Sequence, residues 1–328
     1  MASGGDPCWV VTTGEPGTRN QALGLAEAIG LPFVEKRIVV PRTMWRLLQA
    51  LSPPSLAGLD PSGDLLVPPW PALLIACGRR SVRPAIAVRR LARGATRIVY
   101  IQDPRVSPHH FDLVIPMRHD RLRGANVLAV DTALHRITPD ALAAAASWSA
   151  RLKQGAPSLV GVLLGGSTRR HAISEAGTQR LIALLRNVHA SSGARVVLTP
   201  SRRTEPSVRT ALLAALGDGP WYQQWDGEEP NPYLGILAAS DRLIVTADSV
   251  SMVSEALATG KPVHVVVDER RSKRHAAFVE GLRRRGFLSV VDGAHLDWTH
   301  ESPGPLDATP ALAREVASRL LIPIGGVA

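Results

Sequence analysis

Residues 246–267 read TADSVSMVSEALATGKPVHVVV and bring together groups suited to a phosphate and a sugar. A strand ends at Thr246, and Asp248, Ser249 and Ser251 sit where a helix begins. The free amides and positive dipole end of such a helix attract a diphosphate. Glu255 lies four residues after Ser251, on the same helical face, where a carboxylate can accept two O–H bonds from a sugar diol. The plainer reading makes Ser249 or Ser251 a helix cap and Glu255 a complement to the dipole. Gly260 then ends the helix and Lys261-Pro262 leads into a strand.

A second group follows the apolar run LVGVLL: Gly165, Gly166, Ser167, Thr168, Arg169 and Arg170. Glycines let backbone amides approach and cradle an oxyanion, and the alternative is a tight turn with Ser167 as a local cap. No GxxxxGK[ST] occurs, which excludes nucleotide hydrolysis of the Walker type. Ser201, Arg202 and Arg203 follow the next strand. A guanidinium forks onto two phosphate oxygens, so Arg169, Arg170, Arg202 and Arg203 are candidate phosphate ligands. Trp225, Asp226, Glu228 and Asn231 precede a helix, where they line a base pocket or only shape the turn.

The first half of the chain offers substrate contacts rather than phosphate loops. Gly14, Arg19 and Asn20 follow one strand, Asp103 and Arg105 another, and Arg118 a third. His119 beside Asp120 could serve as a general base with its orienting carboxylate, and Asp103 has a similar claim. Against these stand a loop-stabilising pair and a turn-former before Pro104. His109-His110 reads as a solvated loop, because no third metal ligand accompanies it. No Asp-x-Asp appears in the polar loops, so neither a metal nor another cofactor is expected.

Short apolar strands alternating with helices must position these groups. Strands are expected at 8–13, 33–39, 72–76, 97–102, 112–115 and 127–130, with helices opening at Thr18 and spanning 42–51 and 79–93. Thr18 and Gln21 have the spelling of a capping box. Residues 52–71 are rich in Pro, Gly and Ser and read as a long loop, and 139–154 as a connecting helix. The alternation restarts with strands at 159–164, 195–199, 221–225, 242–246 and 263–267. Helices are expected at 173–190, 206–216, 232–239, 250–259, 272–285 and 309–320. Such alternation implies parallel sheets covered on both faces, with ligands at the carboxyl ends of the strands. The expected architecture is α/β with two Rossmann-like domains, 1–154 and 155–328, whose parallel sheets face a central cleft, the last helix crossing back to the first domain.

Composition bounds the rest. Of 328 residues, 45% are hydrophobic and 20% charged, enough for a core. The net charge is +10, and all but four of the 38 cations are arginine. Small anionic ligands suit this excess better than duplex nucleic acid, because many of the arginines fall in short expected loops and no zinc finger, RNP motif or basic tail is present; peripheral membrane association stays open. Cys8 and Cys77 are too few for a disulfide framework, and no apolar run approaches a membrane span. Residues 1–7 carry no signal-peptide pattern, so a cytoplasmic location is expected.

Residues 246–267 resemble the donor-nucleotide segment of GT-B glycosyltransferases, most nearly the lipid-linked N-acetylglucosaminyltransferase of peptidoglycan synthesis. Glu255, Gly260 and Pro262 match that family's ribose-binding Glu and Gly-x-Pro stop, and Gly165-Gly166-Ser167 its second-domain Gly-Gly-Ser. Val250-Ser251 stand where it has Gly-Ala, and the loop at 14–20 lacks its His. Blocks along nearly the whole chain, among them VVTTGEPGTRNQALGLAEAIG, YIQDPR, LLGGSTRRH and WDGEEPNPYLGILAASDRLIVTADSVSMVSEA, resemble the mitochondrial fission (elongated-mitochondria) family and its bacterial members. These resemblances imply a metal-independent, glycosyltransferase-like protein that binds a nucleoside diphosphate or nucleotide-sugar in its second domain and takes an unidentified acceptor from the first. The other implied function is a non-catalytic scaffold on the same fold. A nicotinamide-dependent short-chain epimerase is excluded: Gly14–Arg19 is no GxGxxG, and no tyrosine is followed by Lys four residues on.

Overall fold

The computed structural model describes residues 8–41, 54–166, 173–217, 219–228, 230–267, 273–291 and 293–322. The apolar runs of the first half become β1 (Cys8–Thr12), β2 (Phe33–Arg37), β3 (Leu73–Cys77), β4 (Arg97–Ile101) and β5 (Leu113–Ile115). They form one parallel sheet in the order β2-β1-β3-β4-β5. Every residue of β1 and β3 is buried, as helices on both faces require. α1 (Pro16–Ile29) and α2 (Val82–Leu91) provide crossovers. The last helix, Thr309–Leu320, packs against α1, with Leu312, Ala313 and Val316 in one apolar cluster with Leu23, Ala26 and Ile29.

The second half supplies α3 (Pro139–Ala144), α4 (Trp148–Lys153), β6 (Leu159–Leu164), α5 (Glu175–Ser192), β7 (Arg195–Pro200), α6 (Pro206–Leu216) and β8 (Tyr222–Gln224). It continues with α7 (Tyr233–Ala239), β9 (Arg242–Thr246), α8 (Val250–Ala258), β10 (Val263–Val266), α9 (Lys273–Arg284) and β11 (Ser289–Val290). These strands make a second parallel sheet, β11-β10-β9-β6-β7-β8, the strand order of a doubly wound dinucleotide-binding sheet.

The described chain divides into two compact units, one running to Arg136 and resuming at Ala308, the other covering Ile137–Asp307. The division falls ahead of the connecting helix, not after it as expected. That segment is two helices joined by a 3-10 turn at Ala145–Ser147, and it packs on α7. Gly235 permits this contact, because a Cβ there would lie 2.6 Å from Trp148 Cγ.

Other departures have local causes. The helix expected to open at Thr18 begins at Pro16, whose fixed φ suits the first helical position. No capping box forms, since Thr18 Oγ1 donates to Glu15 O and Gln21 Nε2 to Gly17 O. The expected strand at 127–130 is reduced to single bridges, Val114 with Val127 and Met117 with Val130. The helix expected at 79–93 begins later, at Val82, because Gly78 takes φ +96° and Ser81 Oγ donates back to its carbonyl at 2.7 Å. The helix expected at 42–51 lies outside the described residues.

Candidate functional site

β6 and β9 are neighbours in the sheet but far apart in sequence, so their outgoing chains part in opposite directions and leave a crevice at their carboxyl ends. The polar loops after β6, β7 and β9 are tied together there. Gly165 N donates to Thr246 Oγ1 at 2.7 Å and Gly166 N to Asp248 Oδ2 at 2.8 Å. Thr204 Oγ1 donates to Gly165 O at 2.6 Å, Ser201 N to Leu164 O at 2.7 Å, and Arg203 N to Ser201 Oγ at 3.2 Å. The two glycines are required by contact. A Cβ on Gly165 would stand 2.2 Å from Asp248 Oδ2, and one on Gly166 2.2 Å from the carbonyl carbon of Arg203.

The expected anion cradle is therefore partly filled by the chain itself, with the Asp248 carboxylate on the Gly166 amide. Burial pushes the Asp248 carboxyl above its usual value, against the lowering effect of Thr246, the Gly166 amide and Arg203. Arg202 and Arg203 are exposed on the rim, while Ser167, Thr168, Arg169 and Arg170 lie outside the described residues. Ser249 caps α8, accepting from Met252 N at 3.4 Å, as the plainer reading held. Ser251 is half-buried in the first turn of that helix.

Glu255 is the unusual group. It is 6% exposed, and it forms no ion pair among the described residues. Desolvation raises its carboxyl to about 7, in spite of a hydrogen bond from Tyr233 Oη to Oε2. Oε1 is not among the sealed, unpartnered polar atoms of the described residues. Tyr233, the first residue of α7, was not singled out from the sequence. Its partner is 22 residues away, and no local pattern announces the pair.

A cavity of about 570 Å³ lies between α6 and the end of β8, lined by Arg151, Arg209, Gln223, Trp225, Asp226 and Glu228 among others. That is within the ~300–1,000 Å³ of ligand pockets. Here Trp225 Nε1 donates to Glu228 O at 2.6 Å and Glu228 N to Asp226 Oδ1 at 2.9 Å, while Asn231 Oδ1 accepts from Tyr233 N at 3.0 Å. Asp226 and Asn231 thus shape their turns, and Trp225 and Asp226 also face the cavity.

In the first unit the candidate residues are engaged close to home. Gly14 holds φ +83° beside the Arg37 side chain, and Arg19 is bidentate on Glu35 at 2.5 and 2.6 Å. Asn20 is half-buried on α1. Asp103 accepts Arg105 N at 2.9 Å and pairs with Arg105 Nε at 3.0 Å, and Arg118 Nε meets Asp131 Oδ1 at 2.6 Å. His119 Nε2 is 3.9 Å from Asp120 Oδ1, within the 3-10 turn Arg118–Asp120. Among the described residues, no three His, Cys, Asp or Glu are grouped to hold a metal ion. No described helix is long and apolar enough to cross a membrane.

Two parallel Rossmann-like units, one with its polar loops gathered at a topological switch point, define an α/β protein of the GT-B class. Solved structures agree at the level of fold. UDP-GlcNAc 2-epimerase from Neisseria meningitidis, bound to UDP-GlcNAc, matches with TM-score 0.55 and 12% identity over 96% of this chain and 99% of that one. The S. aureus MnaA–UDP structure matches with TM-score 0.54 and 12% identity over 96% and 87%. The chain belongs to the mitochondrial fission ELM1 family, whose model matches residues 16–320. Mitochondrial fission protein ELM1 of Arabidopsis thaliana is 35% identical over 277 residues, covering 76% of this chain and 65% of the plant protein. A Rickettsia prowazekii protein is 28% identical over 211 residues, covering 62% of this chain and 58% of its own length. The chain thus matches less than two thirds of the length of either relative.

Proposed function

We propose that the second unit binds a nucleoside diphosphate or nucleotide-sugar along the carboxyl edge of its sheet, as a metal-independent, glycosyltransferase-like protein. The observation that carries this reading is Glu255: a buried carboxylate with no cation paired to it among the described residues, one oxygen held by Tyr233, on the helix that starts at the β6–β9 crevice. Burying an acid in this way costs stability unless a ligand uses it. The ribose diol donates to that carboxylate. The diphosphate meets the start of α8, with Arg203 at the rim, and the base takes the cavity beside Trp225. A departing diphosphate would be stabilised there by arginine and helix amides. The solved neighbours bound to UDP or UDP-GlcNAc support the ligand class.

The test is a thermal-shift screen with UDP, ADP, GDP and their sugar conjugates. A ligand at ~100 times its Kd should raise the melting point of the second unit by about 5–10 °C. No shift with any nucleotide refutes the proposal. The second reading, a scaffold that binds nucleotide without turning it over, is favoured by Asp103, which is doubly tied to Arg105 within its own turn. Stabilisation without release of free nucleotide, across candidate acceptors, selects the scaffold.

A further inference from the structure

We propose that Tyr233 is a positioning residue of the nucleotide site: its hydroxyl fixes the Glu255 carboxylate in an ionised, diol-accepting orientation and so sets the pH range over which the site binds. This deepens the reading above and rests on it. The geometry supplies the argument. Tyr233 Oη donates to Glu255 Oε2, and no other donor to that carboxylate is found among the described residues. α8 carries no second ionisable side chain. On β9, Arg242 donates to the carbonyls of His300 (2.7 Å) and Trp298 (3.0 Å) and to Glu301 (2.8 Å). On β10, His264 is bonded to Ser289 at 2.7 Å and kept neutral by burial. Among the described residues, Tyr233 is therefore the titratable group bonded to Glu255 from the elements packed around it. It remains a donor, because burial and the carboxylate's own charge push its ionisation well above 10.

α7 is also held at both ends of its short length. Lys261 Nζ donates to Leu237 O at 2.7 Å and Ala238 O at 2.6 Å, and Gly235 sits directly against the Trp148 ring. The phenol is thus delivered from a fixed helix. An ionised carboxylate only accepts hydrogen bonds, which suits a diol that donates two, whereas the protonated form uses one oxygen as a donor. By favouring the charged form, the phenol lowers the pH at which the site becomes competent.

The experiment is calorimetric titration of wild type and Tyr233→Phe with UDP-GlcNAc from pH 5.5 to 9. The sugar conjugate avoids the terminal phosphate of a free nucleoside diphosphate, which itself titrates in that range. If the thermal screen selects an ADP- or GDP-sugar, that conjugate replaces it. Wild-type affinity should fall as pH drops through the titration of Glu255. Tyr233→Phe should bind about fivefold more weakly at pH 7 and about tenfold near pH 5.5, with its midpoint raised by about one pH unit and the two curves converging near pH 9. A merely structural role would weaken binding equally at every pH, and parallel curves overturn the proposal. Absence of wild-type binding to any sugar nucleotide overturns the functional reading and this inference with it. Should Tyr233→Phe fail to fold, 3-fluorotyrosine at 233 is a stronger donor of the same shape. It should move the midpoint down, and an unchanged midpoint overturns the proposal.

Discussion

Glu255→Gln tests whether the buried acid is kept at the expense of stability. In an unfolded chain this carboxyl titrates at 4.5, and in the folded unit burial raises it to about 7. Below 4.5 both states hold the proton and the group contributes nothing. Between 4.5 and about 7 the native state keeps a proton that the unfolded state releases, so stability is lost as pH rises through this window. Above it, both states are ionised, and the residual destabilisation is ~3 kcal/mol. Glutamine has the same shape, accepts from Tyr233 Oη through its amide oxygen and does not ionise. The variant should therefore gain on wild type by about 2–3 kcal/mol between pH 5 and pH 8. Calorimetric melting of both proteins at the two pH values measures this double difference. Nucleotide affinity at pH 8 should fall about tenfold at the same time, a trade of function for stability. If the variant differs from wild type by the same amount at pH 5 and pH 8, Glu255 is not an acid raised by burial, and the argument from its burial fails.

Three further outcomes are expected. Gly166→Ala places a Cβ 2.2 Å from Arg203 backbone, which no rotamer change relieves; calorimetry should show a loss of about 1–3 kcal/mol and titration no nucleotide binding. Arg203→Ala should weaken a nucleoside diphosphate about fivefold at low salt and less at high salt, leaving the bare nucleoside unaffected in the same titration. Asp112, its side chain 8% exposed, receives Arg89, Arg97 and the Ile98 amide. Asp112→Ala should destabilise the first unit by about 3 kcal/mol in urea without changing nucleotide affinity.

The order of elements was legible because each apolar run is too short for a helix, is closed by a turn, and is followed by a helical period. The polar residues after β6, β7 and β9 were legible as one group for the same reason, since parallel strands send their carboxyl ends to one edge. The partners inside that edge were not. Asp248 lies 82 residues from the Gly166 amide it accepts, and Tyr233 lies 22 from Glu255. Strand register and side-chain rotamers decide such pairs, and neither is written in local spacing. Arg19 is the converse case. As an arginine near a glycine turn it suited a ligand, yet it sits opposite Glu35 on the neighbouring strand, and the bidentate pair satisfies it.

A binding site has to keep hydrogen-bonding capacity that the fold itself does not use, and this separates the two units. The first unit's candidates are matched to internal partners: Arg19 to Glu35, Asp103 to Arg105, Arg118 to Asp131. Those pairs are no barrier to a ligand, because the Arg105 and Arg118 side chains are 49% and 67% exposed and exposed ion pairs hold by only ~0–1 kcal/mol. A phosphate or carboxylate could therefore draw these arginines away at little cost, but the pairs give no sign of having been shaped for one. In the second unit the burial of Glu255 is not compensated by a cation among the described residues. An acid retained under that penalty, with a phenol arranged to keep it charged, is hard to explain by folding alone, and it is why we propose the second unit as the place of the ligand.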